Sequence, residues 1–334
     1  MKDRISIIGA GSWGTTLAVI IAGKGIDVEL HSVFGEHNLK MQKEHQNKLF
    51  LKGIVFPPKL KINSSLKEVL RNEIIIIAVP VKFLRSIIRR VKRTKKSLKG
   101  KIFLSAAKGI EANSFKRPSE IIKEELRNVK TAVLSGPTIA REVASGVPTA
   151  CVIASENKHT AKKLQKVVST PRFRVYYHHD VIGVELGGAL KNIIAIACGI
   201  SDGLGFGTNT KAAILSRGLV EIARLGKKLG AKEVTFNGIS GLGDLATTCF
   251  SPYSRNRFVG EKIGKGGKLR NVLARMNMVA EGINTVKSVY FLSKKKKIDM
   301  PITKEVYLVL YKNKSPRRAV RDLMSRPLKP EILG

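Results

Sequence analysis

The chain has 334 residues, 43% hydrophobic and 26% charged, enough for two domains with proper cores. Its three cysteines, at 151, 198 and 249, are odd in number, widely spaced and without a CxxC pair, which argues against a disulfide framework and a zinc site and for a reducing compartment. With 61 Lys and Arg against 25 Asp and Glu the net charge is +36, a surplus that raises the question of a nucleic-acid or anionic-membrane partner.

Arg4 to Ile8 is a short β-rich run. Gly9-Ala10-Gly11-Ser12-Trp13-Gly14 follows at once, then a helical pattern through Thr16, Leu17, Ile20 and Ile21, then a second strand at Asp27 to His31. A G-x-G-x-x-G thus joins strand to helix inside a βαβ unit of about thirty residues, the context that dinucleotide binding requires. Gly9 permits the tight turn, Gly11 lets the backbone approach a pyrophosphate, and Gly14 permits close packing of helix on strand. The helix start offers free N–H groups and a positive dipole end to the phosphates. Ile5 to Gly23 is uncharged and follows Lys2 and Arg4, as a leader or membrane anchor would. Its four glycines with Ser12, Thr15 and Thr16 make it too polar and broken for a span. The acidic residue expected at the end of the second strand is missing from Val28-Glu29-Leu30-His31-Ser32-Val33-Phe34. Glu29 falls inside the strand and no Arg stands there for a 2′-phosphate, so NAD versus NADP is not readable by the usual rule.

Helical stretches at Ser64 to Leu70 and Ser119 to Leu126 are interleaved with strands at Ile74 to Val79, Ile102 to Ala106, Thr131 to Leu134, Ala150 to Ile153 and Phe173 to Tyr176. The run Ile74 to Val79 has the length of a buried strand, not of a membrane helix. Lys82 to Lys101 holds ten basic residues and no acid, but Leu84, Ile87, Ile88 and Val91 are spaced as one helix face. This reads as a helix with a core face and a basic solvated face, and no nucleic-acid motif accompanies it. The alternation predicts an α/β protein whose residues 1–180 form a Rossmann-like, mostly parallel, doubly wound sheet. Ligand groups belong at the carboxyl ends of its strands. Two loops stand there, Ala107-Lys108-Gly109 and Ser135-Gly136-Pro137-Thr138; Lys108 faces either a bound phosphate or carbonyl, or solvent.

From Val181 the strand signals fade, and residues 181–334 read as an all-helical substrate-binding and catalytic domain, with apolar-periodic segments at Val181 to Gly199 and Thr210 to Leu229. Between Glu185 and Asp202 the only charged residue is Lys191. Desolvation would lower the pKa of such a lysine and make it a general base near neutrality; the alternative is a lysine that snorkels outward. Gly187, Gly188 and Ala189 leave room for something close by. Glycine-rich loops follow at 203–209 and 238–245, where Asp244 either caps a helix or orients the catalytic amine. Ser254-Arg255-Asn256-Arg257 offers a fork of donors and an amide to a phosphate monoester, or is a surface turn. Lys294 to Lys297 reads as a basic surface loop or helix end.

In chain order, Gly9 to Gly14, Ala107-Lys108-Gly109-Ile110-Glu111, Ser135-Gly136-Pro137, Glu185 to Asn192, Asp202 to Gly207, Gly241-Leu242-Gly243-Asp244-Leu245 and Ser254-Arg255-Asn256-Arg257 resemble the NAD(P)-dependent glycerol-3-phosphate dehydrogenase family over nearly the whole chain. Val279-Ala280-Glu281-Gly282 and Leu323-Met324-Ser325-Arg326 resemble its bacterial branch. The resemblance implies a cytoplasmic oxidoreductase that interconverts sn-glycerol 3-phosphate and dihydroxyacetone phosphate with NAD or NADP and supplies glycerol 3-phosphate for phospholipid synthesis. It implies Lys191 as acceptor of the C2 hydroxyl proton, with Lys108 and Asp244 holding and polarising the substrate. Gly136 and Thr138 would lie beside the substrate, and Ser254, Arg255 and Asn256 on its phosphate. Gly9, Gly11, Ser12, Trp13, Gly14, Lys108, Ala140, Arg255, Val279 and Glu281 would line the dinucleotide, and no metal is called for. Many bacterial relatives place Arg or His near position 33, whereas Val33-Phe34 is similar to the eukaryotic NAD-using pattern, so cofactor preference stays open. The partners expected are a small phosphate substrate, no nucleic acid and no integral membrane segment, with a homodimer left open. The competing readings are a 3-hydroxy-acid dehydrogenase, a silent dinucleotide sensor and a basic peripheral membrane protein.

Overall fold

The computed structural model describes residues 4–94, 97–276, 279–328 and 330–331; Lys95 and Lys96 of the basic run lie outside them. Among the described residues eight strands, β1 (Arg4–Ile8), β2 (Asp27–His31), β3 (Leu60–Ile62), β4 (Ile74–Ile77), β5 (Ile102–Ser105), β6 (Lys130–Ser135), β7 (Thr149–Ala154) and β8 (Phe173–His178), form one sheet in the order β3-β2-β1-β4-β5-β6-β7-β8. All neighbours pair parallel except β6 and β7. The strand order reverses between β1 and β4, which opens a crevice at their carboxyl ends. Sequence patterning missed β3, because three residues at a sheet edge are too short to show an alternation.

The alternation along β4 shows why both faces are covered. Ile74 and Ile76 join a core with α1 (Ser12–Ala22), α2 (Gly35–Glu44) and α7 (Lys158–Val168) through Leu17, Ile21, Met41 and Leu164. Ile75 and Ile77 face the other way, onto α4 (Val81–Arg93) and α5 (Pro118–Glu125) through Leu84, Ile88, Val91 and Ile122. Each such fully buried isoleucine contributes roughly 1.5–3 kcal/mol. Short helices α3 (Leu66–Val69) and α6 (Ala140–Ala144) complete this body. On α4 the stripe Leu84, Ile87, Ile88 and Val91 is buried while Lys82, Arg89, Arg90, Lys92 and Arg93 are exposed, as its spacing requires. Arg85 is the exception, ion-paired with Glu111, Glu124 and Glu125 at 2.7–2.9 Å.

The second body is helical: α8 (Val181–Gly203), α9 (Thr208–Lys228), α10 (Asp244–Phe250), α11 (Arg255–Gly264), α12 (Leu269–Ala274), α13 (Glu281–Lys296), α14 (Pro301–Tyr311) and α15 (Pro316–Met324). Asp180 starts α8 by accepting Gly183 N at 2.8 Å, and it also accepts Lys232 N and Thr235 Oγ1. By length and apolarity α8 is the one helix among the described residues able to cross a membrane, but 89% of its apolar stretch is buried inside the protein. It is the axis of the helical core. Lys294 to Lys296 close α13, where cations complement the dipole. All three cysteines are free and buried.

Candidate active site

In the glycine turn after β1, Gly9 and Gly14 have the steric roles expected of them. Gly9 sits at φ +115, and a Cβ there would meet Ala78 O at 2.4 Å. A Cβ on Gly14 would lie 1.9 Å from Gly9 O, so α1 can pack on the turn only because residue 14 is glycine. Gly11 has no atom within 4 Å of its Cβ position, and it caps α1 without a side-chain bond. Its open face and the uncapped helix start fit a pyrophosphate. Asn47 locks the turn by donating to Ala10 O at 2.9 Å and Thr15 Oγ1 at 2.8 Å.

Around this turn the other cofactor candidates divide. Ser12 Oγ donates to Phe50 O at 2.8 Å. Trp13 packs on Phe173 with ring centroids 6.2 Å apart. Ala140 opens α6, and its carbonyl accepts from Thr16 Oγ1 at 3.0 Å. Glu29 lies within β2 and accepts from Asn72 Nδ2 at 3.1 Å, so it has a structural role there. At the ends of β4 and β5, Glu281 accepts Val81 N at 3.1 Å and lies 3.2 Å from the Cβ position of Gly109. Arg255 donates to Val279 O at 2.8 Å. Burial pushes Glu281 up to about 7, with the bond from Val81 and the charge of Arg255 pulling it back.

Lys191 lies mid-way along α8, only 6% exposed. Gly187 and Gly188 do leave room, but for the protein itself. A Cβ on Gly187 would meet Ser240 O at 2.4 Å, and one on Gly188 would meet Ser135 Oγ at 2.4 Å. The missing side chains let a π-helical turn, Ile239–Gly243, and the end of β6 press against α8. That contact delivers Asp244 to Lys191. Asp244 is fully buried in the first turn of α10, where Gly243 holds the cap position. Its Oδ1 accepts from Lys191 Nζ. Its Oδ2 accepts from Lys108 Nζ at 2.8 Å and Gly136 N at 3.3 Å. Lys108 Nζ also donates to Gly136 O at 2.7 Å and Thr138 Oγ1 at 3.2 Å. Two ammonium groups therefore share one carboxylate.

Burial pushes Lys191 down to about 7; Asp244 pulls it upward and Lys108 drives it further down. Nζ makes a second bond to Thr248 Oγ1 at 2.7 Å, and the Thr248 proton is committed to Asp244 O at 2.6 Å. Two of the three donor directions of the ammonium are thus taken by α10. Thr248 was missed in the sequence, although it lies one turn after Asp244 and the i, i+4 rule places both on one face.

Ser254 caps α11 by accepting Arg257 N at 3.2 Å, so its hydroxyl stands at a helix N-terminus. Asn256 is buried; Nδ2 donates to Asn192 Oδ1 at 2.8 Å and Oδ1 accepts Gly282 N at 3.0 Å. Asn192 follows Lys191 directly, so this bridge sets Ser254-Arg255-Asn256 beside the turn of α8 that carries Lys191. Arg257 turns away to Asp202 at 2.6 Å.

A glycine turn at the switch point of a mostly parallel sheet, together with a helical body holding a buried amine whose proton affinity burial lowers, is the arrangement of a two-body dinucleotide-dependent oxidoreductase. Within that class the chain belongs to the NAD-dependent glycerol-3-phosphate dehydrogenase family: the family's N-terminal part matches residues 4–161 and its C-terminal part residues 180–321. It is 48% identical over 332 residues to glycerol-3-phosphate dehydrogenase (NAD(P)+) of Pelodictyon phaeoclathratiforme, covering 98% of this chain and 99% of that one. It is 46% identical to the protein of that name from Syntrophotalea carbinolica over 98% and 99% of the two chains. The crystal structure of glycerol-3-phosphate dehydrogenase from Coxiella burnetii superposes with a TM-score of 0.93 at 40% identity, over 97% of this chain and 99% of that one. The cofactor of the class is NAD(P).

Proposed function

We propose that this protein interconverts sn-glycerol 3-phosphate and dihydroxyacetone phosphate, with residues 1–180 holding the dinucleotide and 181–334 the substrate and the acid–base chemistry. The observation that carries the reading is Lys191 Nζ, buried and bound to Asp244 and Thr248 at the carboxyl end of the sheet. When bound, NAD(P) takes or gives the hydride at C2 of the substrate. Lys191, as the free amine, takes the C2 hydroxyl proton; in the reverse direction its ammonium returns that proton to the forming alkoxide. Asp244 and Thr248 aim the remaining direction of Nζ at the substrate, and Lys108 polarises the same oxygen. Gly136 and Thr138 flank it. Ser254 at the α11 N-terminus and Arg255 grip the phosphate, and Asn256 holds their helix against Asn192. Gly9, Gly11, Ser12, Trp13 and Gly14 surround the pyrophosphate side, while Lys108, Ala140, Arg255, Val279 and Glu281 border the rest of the dinucleotide. The three free, buried cysteines support a reducing, cytoplasmic setting. The product then serves phospholipid synthesis, and the assembly we expect is a homodimer, which sedimentation would check.

The test is absorbance at the nicotinamide band after mixing the protein with dihydroxyacetone phosphate and NADH or NADPH in parallel. Oxidation of either supports the reading, and the faster one settles the preference left open at Val33. A folded protein that binds dinucleotide and oxidises neither form overturns it.

A further inference from the structure

We infer that residues 107–117, the connection from β5 to α5, are an arm seated in the helical body, and that Ile110, Arg117 and Glu185 are positioning residues that hold Lys108 beside Asp244 and Lys191. The inference rests on the reading of Lys191 as the proton acceptor.

Lys108 leaves a strand of the dinucleotide body yet bonds to a carboxylate of the helical one. Its own strand ends at Ser105, so the position of the ammonium depends on how the next residues of the chain are anchored. Gly109 comes next, pressed against α4 and α13: a Cβ there would lie 3.1 Å from Val81 Cγ2 and 3.4 Å from Thr285 Oγ1. Ile110 is 2% exposed and belongs to the apolar core of the helical body with Leu186 and Leu190 of α8. Ser288 of α13 donates to its carbonyl at 3.4 Å. A tight turn then closes, with Glu111 N donating to Lys116 O at 3.0 Å. Phe115 in that turn takes φ +58, a left-handed conformation uncommon for a bulky residue, and packs on the same core. Such a conformation persists where its surroundings over-determine it.

The far end of the arm is tied to the catalytic helix itself. Glu185 of α8, 6% exposed, accepts from Arg117 Nη1 at 2.6 Å, Ser119 N at 2.8 Å and Ser119 Oγ at 2.6 Å. It stands six residues before Lys191 on the same rigid element. Lys108 is therefore held between β5 of the dinucleotide body on one side and, on the other, an arm clamped at Ile110, Phe115 and Arg117 to the helical body.

This seat has an electrostatic consequence. The charged groups that face Lys191 are Asp244 from α10 and Lys108 from the arm; Cys249 of α10 is nearby as a thiol that its neighbour Cys198 and burial keep protonated. If the arm loosens, Lys108 withdraws from Asp244. Lys191 then loses a repelling neighbour and no longer shares its carboxylate. Both changes raise its proton affinity.

The test uses Ile110→Ala and Arg117→Lys, neither of which changes a charge, with Ile110→Val as a milder variant should the alanine fail to fold. The readouts are the pH profile of kcat/KM for glycerol 3-phosphate oxidation, kcat, and dinucleotide Kd. The expected result is an alkaline shift of the limb assigned to Lys191, about a tenfold fall in kcat, and a dinucleotide Kd that changes far less than kcat. Variants with a lowered Tm but the wild-type limb and kcat overturn the positioning role alone. A wild-type profile with no limb near neutrality removes the assignment of Lys191, and the positioning role with it.

Discussion

At the scale of single residues, the energetics centre on one buried charge too many. Burying an ammonium without full compensation costs several kcal/mol, and Asp244 compensates two of them at once. Lys191 resolves the deficit by giving up its proton near pH 7. The sign for catalysis is then fixed. Oxidation of glycerol 3-phosphate needs the free amine, so its kcat/KM should rise with pH through about 7; reduction needs the ammonium and should fall across the same range. A pH-independent rate between pH 6 and 8 on both sides would exclude Lys191 as the titrating group. Lys191→Ala should lower kcat by about 10²–10⁴-fold with NADH affinity, read by fluorescence titration, nearly unchanged. Lys191 stood out in the sequence because a charge inside an apolar helix is conspicuous, whereas Lys108 and Asp244, in glycine-containing loops, were assigned roles only through the family resemblance. The glycines at 187 and 188 are legible only in part: sequence shows that space is left, not which atoms fill it.

Between elements, the register of α8 against α11 is set by backbone contact. A Cβ on Gly260 would lie 2.1 Å from Ile196 O, and one on Gly199 would lie 2.0 Å from Arg257 O. Gly260→Ala must therefore push the helices apart, and a loss of about 2 kcal/mol or more in denaturant unfolding is expected. A second element contact is titratable. Glu221 of α9 is buried and caps α14, accepting Ile302 N at 2.5 Å, Thr303 N at 3.1 Å and Thr303 Oγ1 at 3.0 Å. Burial nevertheless raises it to about 7, against those bonds. A carboxyl whose folded pKa is raised contributes stability that is complete below its unfolded value and is lost as pH rises through the folded one. Between about pH 4.5 and 7 this group should thus withdraw roughly 3 kcal/mol. Glu221→Gln should flatten that part of the stability–pH curve; an unchanged slope would show that the group is ionised throughout. Neither contact has a sequence signal, since both join positions far apart in the chain.

For the whole molecule, the surplus of charge is the dominant fact. Part of it is neutralised internally, as where Arg85 meets Glu111, Glu124 and Glu125, but most basic residues of α4 and the end of α13 face solvent. A net charge of +36 repels itself, so Tm should rise as salt is added from low concentration to about 0.15 M, where the Debye length falls to about 8 Å. A Tm that stays flat or falls would mean that the basic residues are already paired. Binding to anionic vesicles should vanish over the same salt range, as expected of nonspecific attraction and not of a built lipid site.

What the sequence determined by itself was the periodic and the local: the strand–turn–helix fingerprint, the alternation that makes a doubly wound sheet, the apolar stripe of α4, and a lone lysine in an apolar helix. These are legible because one short window holds all the atoms that decide them. The tertiary structure alone decided the rest. It showed that one carboxylate serves both lysines, that glycine 187 admits the π-turn leading into it and glycine 188 the end of β6, and that Ile110 belongs to the helical core and not to the sheet. Those facts depend on distances between residues scores of positions apart, which packing fixes and no local propensity encodes.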